Sequence, residues 1–294
     1  MELVSRIRPK ILRSQVEELT FGMRSRVRKA RTSALVHRVC RPGMEHLVTW
    51  RLEPTSDLAV IVAPGQGIAE LNDKQLAFIA SKDVFGMNFS GLFPLQYKGY
   101  FFEVADMSAV GRRQVSLVER ISRDGTTVWF KNVWSRRYES PVVLADLIRE
   151  NNFNILKDYH LPSLPESRRN LRRLCAILQR HPDSEQGFVS QMCSSLNTII
   201  CLCKAWGYKA VLLVGTDLVG DYFFNAYPNA VPEHLVPLIP PQATPASGHS
   251  TNVGYYSVTR IIGTLRDSMS ADGFNMYIYR KDVALSSVLP FMAF

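Results

Sequence analysis

Four short stretches of the chain carry residue types that could do chemistry together. The first is Gly65-Gln66-Gly67, a sharp turn at the end of the apolar run 58–63. Glycines there permit close backbone approach, and a helix starting behind them would offer free N–H groups to a phosphate or a sugar. The second is Asn88, at the end of the short apolar stretch 84–87; the third is Gly215-Thr216-Asp217, closing the apolar run 210–214. The fourth is Gly248-His249-Ser250-Thr251-Asn252, which holds a loop histidine of a kind able to move a proton near neutral pH. Taken singly each signal is weak. Gly-Gln-Gly lacks the third glycine of a dinucleotide fingerprint and the Gly-Lys-Ser/Thr of a P-loop, and a tight turn without ligand gives the same residues.

The elements that must hold these residues are read from hydrophobic pattern. The runs 58–63 and 210–214 are apolar without alternation, as in strands buried on both faces of a parallel sheet. Between the first run and Asn88 lies the polar, helix-forming stretch 70–80, so strand, glycine turn, helix and strand follow in order. That sequence opens a doubly wound α/β sheet, in which ligands bind at the carboxyl ends of the strands. Further strands are predicted at 46–52 (an edge), 100–104, 126–133, 153–156 and 275–279, and helices at 107–121, 142–150, 188–206 and from the Gly-His-Ser stretch to about residue 269. Ser140-Pro141 supplies an N-cap and first turn, and Gly207-Tyr208-Lys209 a glycine stop.

The fold class expected is therefore α/β, a Rossmann-like, mainly parallel sheet with a lid over the carboxyl ends of its strands. Residues 46–294 form one domain in this reading. The proline- and aromatic-rich stretch 218–248 is the lid, since loops of that length in compact domains usually serve a site. The polar segment 157–187, with its basic helix, is a candidate cap. The terminal run 288–294 is unusually apolar and is expected to fold back as core or else to touch a membrane or a partner chain.

Charge is unevenly distributed. The net charge is +9, and residues 1–41 contribute eleven Lys or Arg against three Glu. The remainder is close to neutral, which disfavours a nucleic-acid-binding surface spread over the domain. Residues 1–45 read as a basic helical arm suited to an anionic surface, peripheral to a membrane rather than through it. No secretory leader or membrane span is apparent, so a cytoplasmic location with contact at the inner membrane face is expected. The five cysteines have no framework or metal-ligand spacing.

Three segments in order resemble one family. Ala-Pro-Gly-Gln-Gly followed by Phe-Gly-Met-Asn, the helix leading through Gly-Tyr-Lys to a strand and Gly-Thr-Asp, and Gly-His-Ser-Thr-Asn look like the bacterial CMP-sialic acid transferases that sialylate lipooligosaccharide, over about residues 58–283. The resemblance implies a GT-A-like Rossmann fold and a CMP-sugar donor bound without a divalent metal or other cofactor. By position His249 matches the general base, flanked by Ser250 and Asn252, and Asn88 the asparagine contacting the cytidine nucleotide. Gly65, Gln66 and Gly67 match the first nucleotide loop. Ser195, with Ser194 beside it, matches the serine near the sugar carboxylate, and Asp217 the strand-end aspartate. The family's tyrosine two residues beyond that aspartate is Val219 here, leaving Tyr222 and Tyr227 as substitutes for contacting the leaving phosphate. The arginine of the family's Arg-Ile-Thr-Ser segment is Met192. Kdo is therefore as good a donor sugar as sialic acid, with a cell-envelope saccharide or glycolipid as acceptor partner. Self-association into a homo-oligomer is left open. Two other classes compete: a nucleotide or pterin diphosphokinase, requiring Mg²⁺ and an acidic cluster for which Asp217 and Asp221 are the candidates, and a non-enzymatic basic binding module.

Overall fold

The computed structural model describes residues 2–40, 43, 48–103, 108–131, 141–162, 164–180, 188–218, 220–240, 254–281 and 283–293. Seven parallel strands form the central sheet in the order β5-β4-β3-β2-β1-β8-β9. They are β1 (Leu58–Val62), β2 (Asp83–Met87), β3 (Gly99–Phe102), β4 (Thr127–Phe130), β5 (Asn154–Ile155), β8 (Ala210–Val214) and β9 (Asn275–Ile278). Two further strands, β6 (Lys157–His160) and β7 (Phe188–Gln191), pair in parallel as a separate ribbon. This is the α/β, doubly wound, Rossmann-like architecture expected from the buried runs.

Both faces of the sheet are covered. Ala59 and Ile61 of β1 point into one core with α5 (Arg168–Gln179), α6 (Ser195–Trp206) and α8 (Val258–Met269). Val60 and Val62 point into the other, with α2 (Asp73–Ala80), α3 (Ala109–Arg123), α4 (Pro141–Asn151) and α7 (Phe223–Ala226). Alternate side chains of one strand thus serve two cores, which is why β1 and β8 are apolar throughout.

The basic N-terminal segment is a single helix, α1 (Glu2–Val39). Its second half is part of the fold: Phe21, Thr32, Val36 and Val39 are buried at helical spacing. Arg28 donates to the His160 carbonyl at 2.8 Å, and Thr32 to that of Asp158 at 3.3 Å. Lys29 lies over the Tyr159 and Phe188 rings, and Arg173 over Phe21.

Two expectations are corrected. The helix predicted over 188–206 is β7 followed by α6. The break comes at Cys193, in the left-handed region at φ 60°, and at Ser194, whose hydroxyl caps α6 by accepting from the Leu196 amide at 3.1 Å. The edge strand predicted over 46–52 is absent at 48–52. There the Thr49 and Trp50 carbonyls accept from the indole N–H groups of Trp129 and Trp206, at 3.1 and 2.6 Å, in place of a ladder. The lid stretch carries short structure at 220–240: α7 and two 3₁₀ turns, fastened by Phe223 against Phe93 and Phe224 against Phe89. The terminal run folds back, with Phe291 bridging to Ile278 of β9. Among the described residues no helix is long and apolar enough to cross a membrane.

The amino edge of the sheet is tied by Asp83. Its carboxylate accepts from the Thr55 amide (2.7 Å) and hydroxyl, the Tyr208 hydroxyl (2.7 Å) and Lys98 Nζ (3.0 Å). The Gly-Tyr-Lys segment is explained by this network: Gly207 caps α6 at φ 97° and Tyr208 then reaches Asp83. Burial pushes the Asp83 carboxyl up, but the hydrogen bonds from Thr55, Tyr208 and Lys98 outweigh it and hold it at about 2. A carboxyl that ionises more readily folded than unfolded contributes stability above its ordinary pKa and loses it as pH falls from about 4 toward about 2. Asp83→Asn should therefore cost about 2–4 kcal/mol at pH 7 and flatten the acid limb of a denaturation profile between those pH values. An unchanged midpoint in urea at pH 7 would remove this role.

Candidate functional site

Connections leave β1 toward β2 on one side and reach β8 and β9 on the other, so the strand order reverses between β1 and β8. In open α/β sheets a crevice forms at the carboxyl ends beside such a reversal. Here the two strand ends are laced together. The Ala63 and Gly65 amides donate to the Val214 and Gly215 carbonyls at 2.9 and 2.8 Å, and the Gly67 amide donates to Asp217 Oδ2 at 2.8 Å. Tyr222 bridges back to Gly65, and the Phe223 amide donates to the Pro64 carbonyl at 3.1 Å.

This geometry gives the glycines a first role inside the protein. A side chain on Gly65 would collide with the Gly215 carbonyl and Asp217, and one on Gly67 with the Tyr279 hydroxyl and Arg280. Asp217, 8 % exposed, orients the turn. Gln66 is half-buried beside Gly220. Around the turn Glu70 joins two partners: it pairs with Arg280 Nη1 at 2.6 Å and accepts from the Tyr227 hydroxyl at 3.1 Å. Tyr222 is half-buried and stacked on Phe224. Burial first, then the Asp217 charge, push the Tyr279 phenol up, so it is a neutral donor at ordinary pH.

Asn88 stands at the end of β2 in the left-handed region at φ 55°. Its backbone is over-determined: the amide donates to the Phe101 carbonyl at 3.3 Å, its own carbonyl accepts from the Tyr100 hydroxyl, and Ser90 Oγ accepts from the Met87 amide at 2.9 Å. Among the described residues its half-buried side-chain amide has no hydrogen-bond partner. Left-handed non-glycine residues held by their surroundings cluster at functional sites. Cys193 and Leu218, both near φ 60°, flank the carboxyl edge at the start of α6 and after β8.

A second polar group lies along the same edge, one and two strands beyond Asn88, roughly 5–10 Å at ordinary strand spacing. Lys131 follows β4 and is 1 % exposed; its Nζ donates to Ser195 Oγ at 2.5 Å and lies 3.6 Å from Glu103, which follows β3. His160 closes the group. Burial, then the Lys131 charge, lower its pKa to about 4 against an opposing effect of Glu103, so the imidazole is neutral at physiological pH. Sequence reasoning missed Lys131, Glu103, His160, Glu70 and Arg280. The legible signal was a charged residue directly after an apolar strand, as at Phe130-Lys131 and Phe102-Glu103.

The structure thus brings Gly65, Gln66, Gly67, Asp217, Tyr222 and Tyr227 together at the β1–β8 crevice, with Asn88 at the next strand and Ser194 and Ser195 at the start of α6. His249, Ser250 and Asn252 lie outside the described residues. Among those described, no group of three His, Cys, Asp or Glu side chains could hold a metal ion.

No family model matches the chain, and no curated protein matches it. Solved structures do resemble it. The monofunctional α-2,3-sialyltransferase Cst-I from Campylobacter jejuni is 17% identical, over 83% of this chain and 82% of that one, with a TM-score of 0.44. The sialyltransferase CstII from Campylobacter jejuni, in complex with the substrate analogue CMP-3FNeuAc, is 15% identical over 80% of this chain and 85% of that one, TM-score 0.43. CST-II with a trisaccharide acceptor and CMP is 14% identical, over 80% and 86%, TM-score 0.44.

Two variants probe the site. Gly67→Ala should destabilise by about 1–3 kcal/mol, and adding Tyr279→Phe should recover part of that, because the alanine methyl collides with the Tyr279 hydroxyl. A fully stable Gly67→Ala protein would show the turn to be looser than described. Lys131→Met should raise the His160 pKa, read by NMR titration of the ring, since a like charge is removed. A His160 titration that does not move would separate the two groups.

Proposed function

We propose that the chain is a CMP-sugar-dependent glycosyltransferase that moves an acidic sugar, sialic acid or Kdo, to a cell-envelope glycan. The observation that carries this reading is the convergence of two of the three resembling segments. The Gly-Gln-Gly turn and Gly-Thr-Asp cap β1 and β8 on either side of the switch point, and Asn88 caps β2, so residues far apart in sequence share one crevice.

In the reaction, His249 takes the proton of the acceptor hydroxyl. The acceptor oxygen attacks the anomeric carbon, and the bond from that carbon to the donor's phosphate oxygen breaks, with the electron pair leaving on CMP. Departure needs hydrogen bonds on the phosphate, for which Tyr222 and Tyr227 are the candidate donors, Tyr227 by exchanging its present acceptor Glu70, and Asn88 holds the nucleotide. The donor is a substrate and the reading expects no metal. His160 is a poor substitute for His249, since a pKa of about 4 makes a weak base at neutral pH. The diphosphokinase alternative is disfavoured by the engagement of its carboxylates: Asp217 holds Gly67, and Asp221 Oδ1 accepts from the Tyr222 amide and Asn225 Nδ2, both at 2.7 Å. The outer face of α1 supports peripheral attachment to an anionic membrane, with exposed Val16, Met23 and Val27 beside exposed Arg24, Arg26 and Arg31.

Calorimetry tests the reading. CMP should bind in EDTA, Asn88→Ala should weaken it about tenfold or more, and His249→Ala should lower transfer from CMP-sialic acid or CMP-Kdo by about 10²–10⁴ while His160→Ala does not. Binding of ATP alone, and only with Mg²⁺, would sink it.

A further inference from the structure

A strongly basic concavity outside the crevice lies between α5 and α8. These helices run side by side in the same direction. Just ahead of them the Tyr256 hydroxyl donates to the Pro165 carbonyl at 2.8 Å, and at their far ends Gln179 Nε2 donates to Ser268 Oγ at 2.6 Å. A groove of about 860 Å³ between them is lined by Arg168, Arg172, Arg260 and Arg266, and its one acidic lining residue is Asp267.

That carboxylate is already engaged. Asp267 accepts from Arg266, which also donates to the Val288 carbonyl. Arg260 is held open by stacking, its guanidinium 4.4 Å from the centre of the Tyr255 ring. Arg168 and Arg172 stand one turn apart on α5, exposed, and among the described residues neither has an acidic partner. Both helices also turn their N-termini to this end, with Ser167 and Ser257 as caps. Arg260 also donates to the Tyr255 carbonyl at 3.5 Å, yet among the described residues none of the three guanidiniums has an acidic partner, and guanidiniums so placed suit an anion.

The shape and lining select the partner. A membrane surface would call for protruding apolar side chains, and none of the exposed large hydrophobics lines the groove. Single-stranded nucleic acid would call for open aromatic faces, and the one aromatic ring, Tyr255, is covered by Arg260. Instead the walls carry hydroxyls, at Ser257, Thr259 and Thr264.

We propose that the α5–α8 groove binds an acidic oligosaccharide, the anionic stretch of the acceptor, with its carboxylates or phosphates set against Arg168, Arg172 and Arg260. The identification of that saccharide as the acceptor rests on the transferase reading; the binding itself does not.

The test uses the full chain and three probes: fluorescently labelled tetragalacturonate, labelled maltotetraose as its neutral counterpart, and vesicles of phosphatidylglycerol in phosphatidylcholine. Tetragalacturonate should bind at least about tenfold more tightly than maltotetraose, and its affinity should fall as salt is raised. Arg168→Glu with Arg172→Glu should weaken it about tenfold or more while leaving CMP affinity unchanged. Arg168→Gln with Arg172→Gln, checked by circular dichroism, gives the same readout if the charge reversal fails to fold. The proposal is overturned if tetragalacturonate does not bind, if the neutral probe binds equally, if the arginine variants bind it like the parent, or if Arg168 and Arg172 serve only vesicle capture. Failure of the transferase reading is seen separately, as a parent protein that binds tetragalacturonate but not CMP.

Discussion

Everything at the carboxyl edge depends on the seam between β1 and β8. Two apolar strands are held side by side in the middle of the sheet, and the chain leaves them in opposite directions. The β1–β8 ladder holds the strands themselves, and beyond their ends the two turns need ties of their own. Here the closure is made by backbone groups and one carboxylate: the Gly65 amide on the Gly215 carbonyl and the Gly67 amide on Asp217. With the turn fixed, Glu70 can hold Arg280 and Tyr227, and Tyr222 can lie against Gly65. The opposite edge has its own anchor in Asp83, whose partners come from a loop, the residue just ahead of β3 and the turn after α6.

Between those anchors the sheet offers a row of strand ends with different chemistry. The β1–β8 end carries the Asp217 carboxylate and a turn whose Gly65 and Gly67 amides are engaged, the β2 end presents the Asn88 carboxamide, and the β3–β4 ends bury an ammonium beside a carboxylate and a neutral imidazole. A buried ammonium is tolerated when its hydrogen bonds are met, and Ser195 and Glu103 provide two contacts.

The sequence discloses the strand–turn–helix–strand unit and the second buried strand because a strand packed on both faces has an unbroken apolar composition that needs no knowledge of its neighbours. Asn88 and the Gly-Gln-Gly turn were legible for the same reason, as they terminate such strands. The segment 188–206 was not. Phe188 and Val189 suit a helix face and a strand equally, and the choice is made by β6, a partner supplied from thirty residues away, and by the left-handed Cys193. Lys131 was hidden in another way: a lysine next to an apolar strand reads as a surface charge until Ser195, 64 positions on, is folded against it. At the glycines, the atoms that come close in the structure belong to the protein itself: Gly215, Asp217, Tyr279 and Arg280.

The docking of α1 has a consequence for how the chain is made. Arg28 finds its acceptor on His160, 132 residues later, and Lys29 lies over Phe188, later still. At ribosomal rates of about 5–20 residues per second, this helix is outside the ribosome for on the order of ten seconds before its resting place exists. During that interval its apolar stripe, Phe21, Val36 and Val39, has nothing of its own chain to cover it, and it carries most of the protein's excess positive charge. Until the β6–β7 ribbon arrives to receive it, this stretch of the nascent chain is a basic amphipathic helix without its partner.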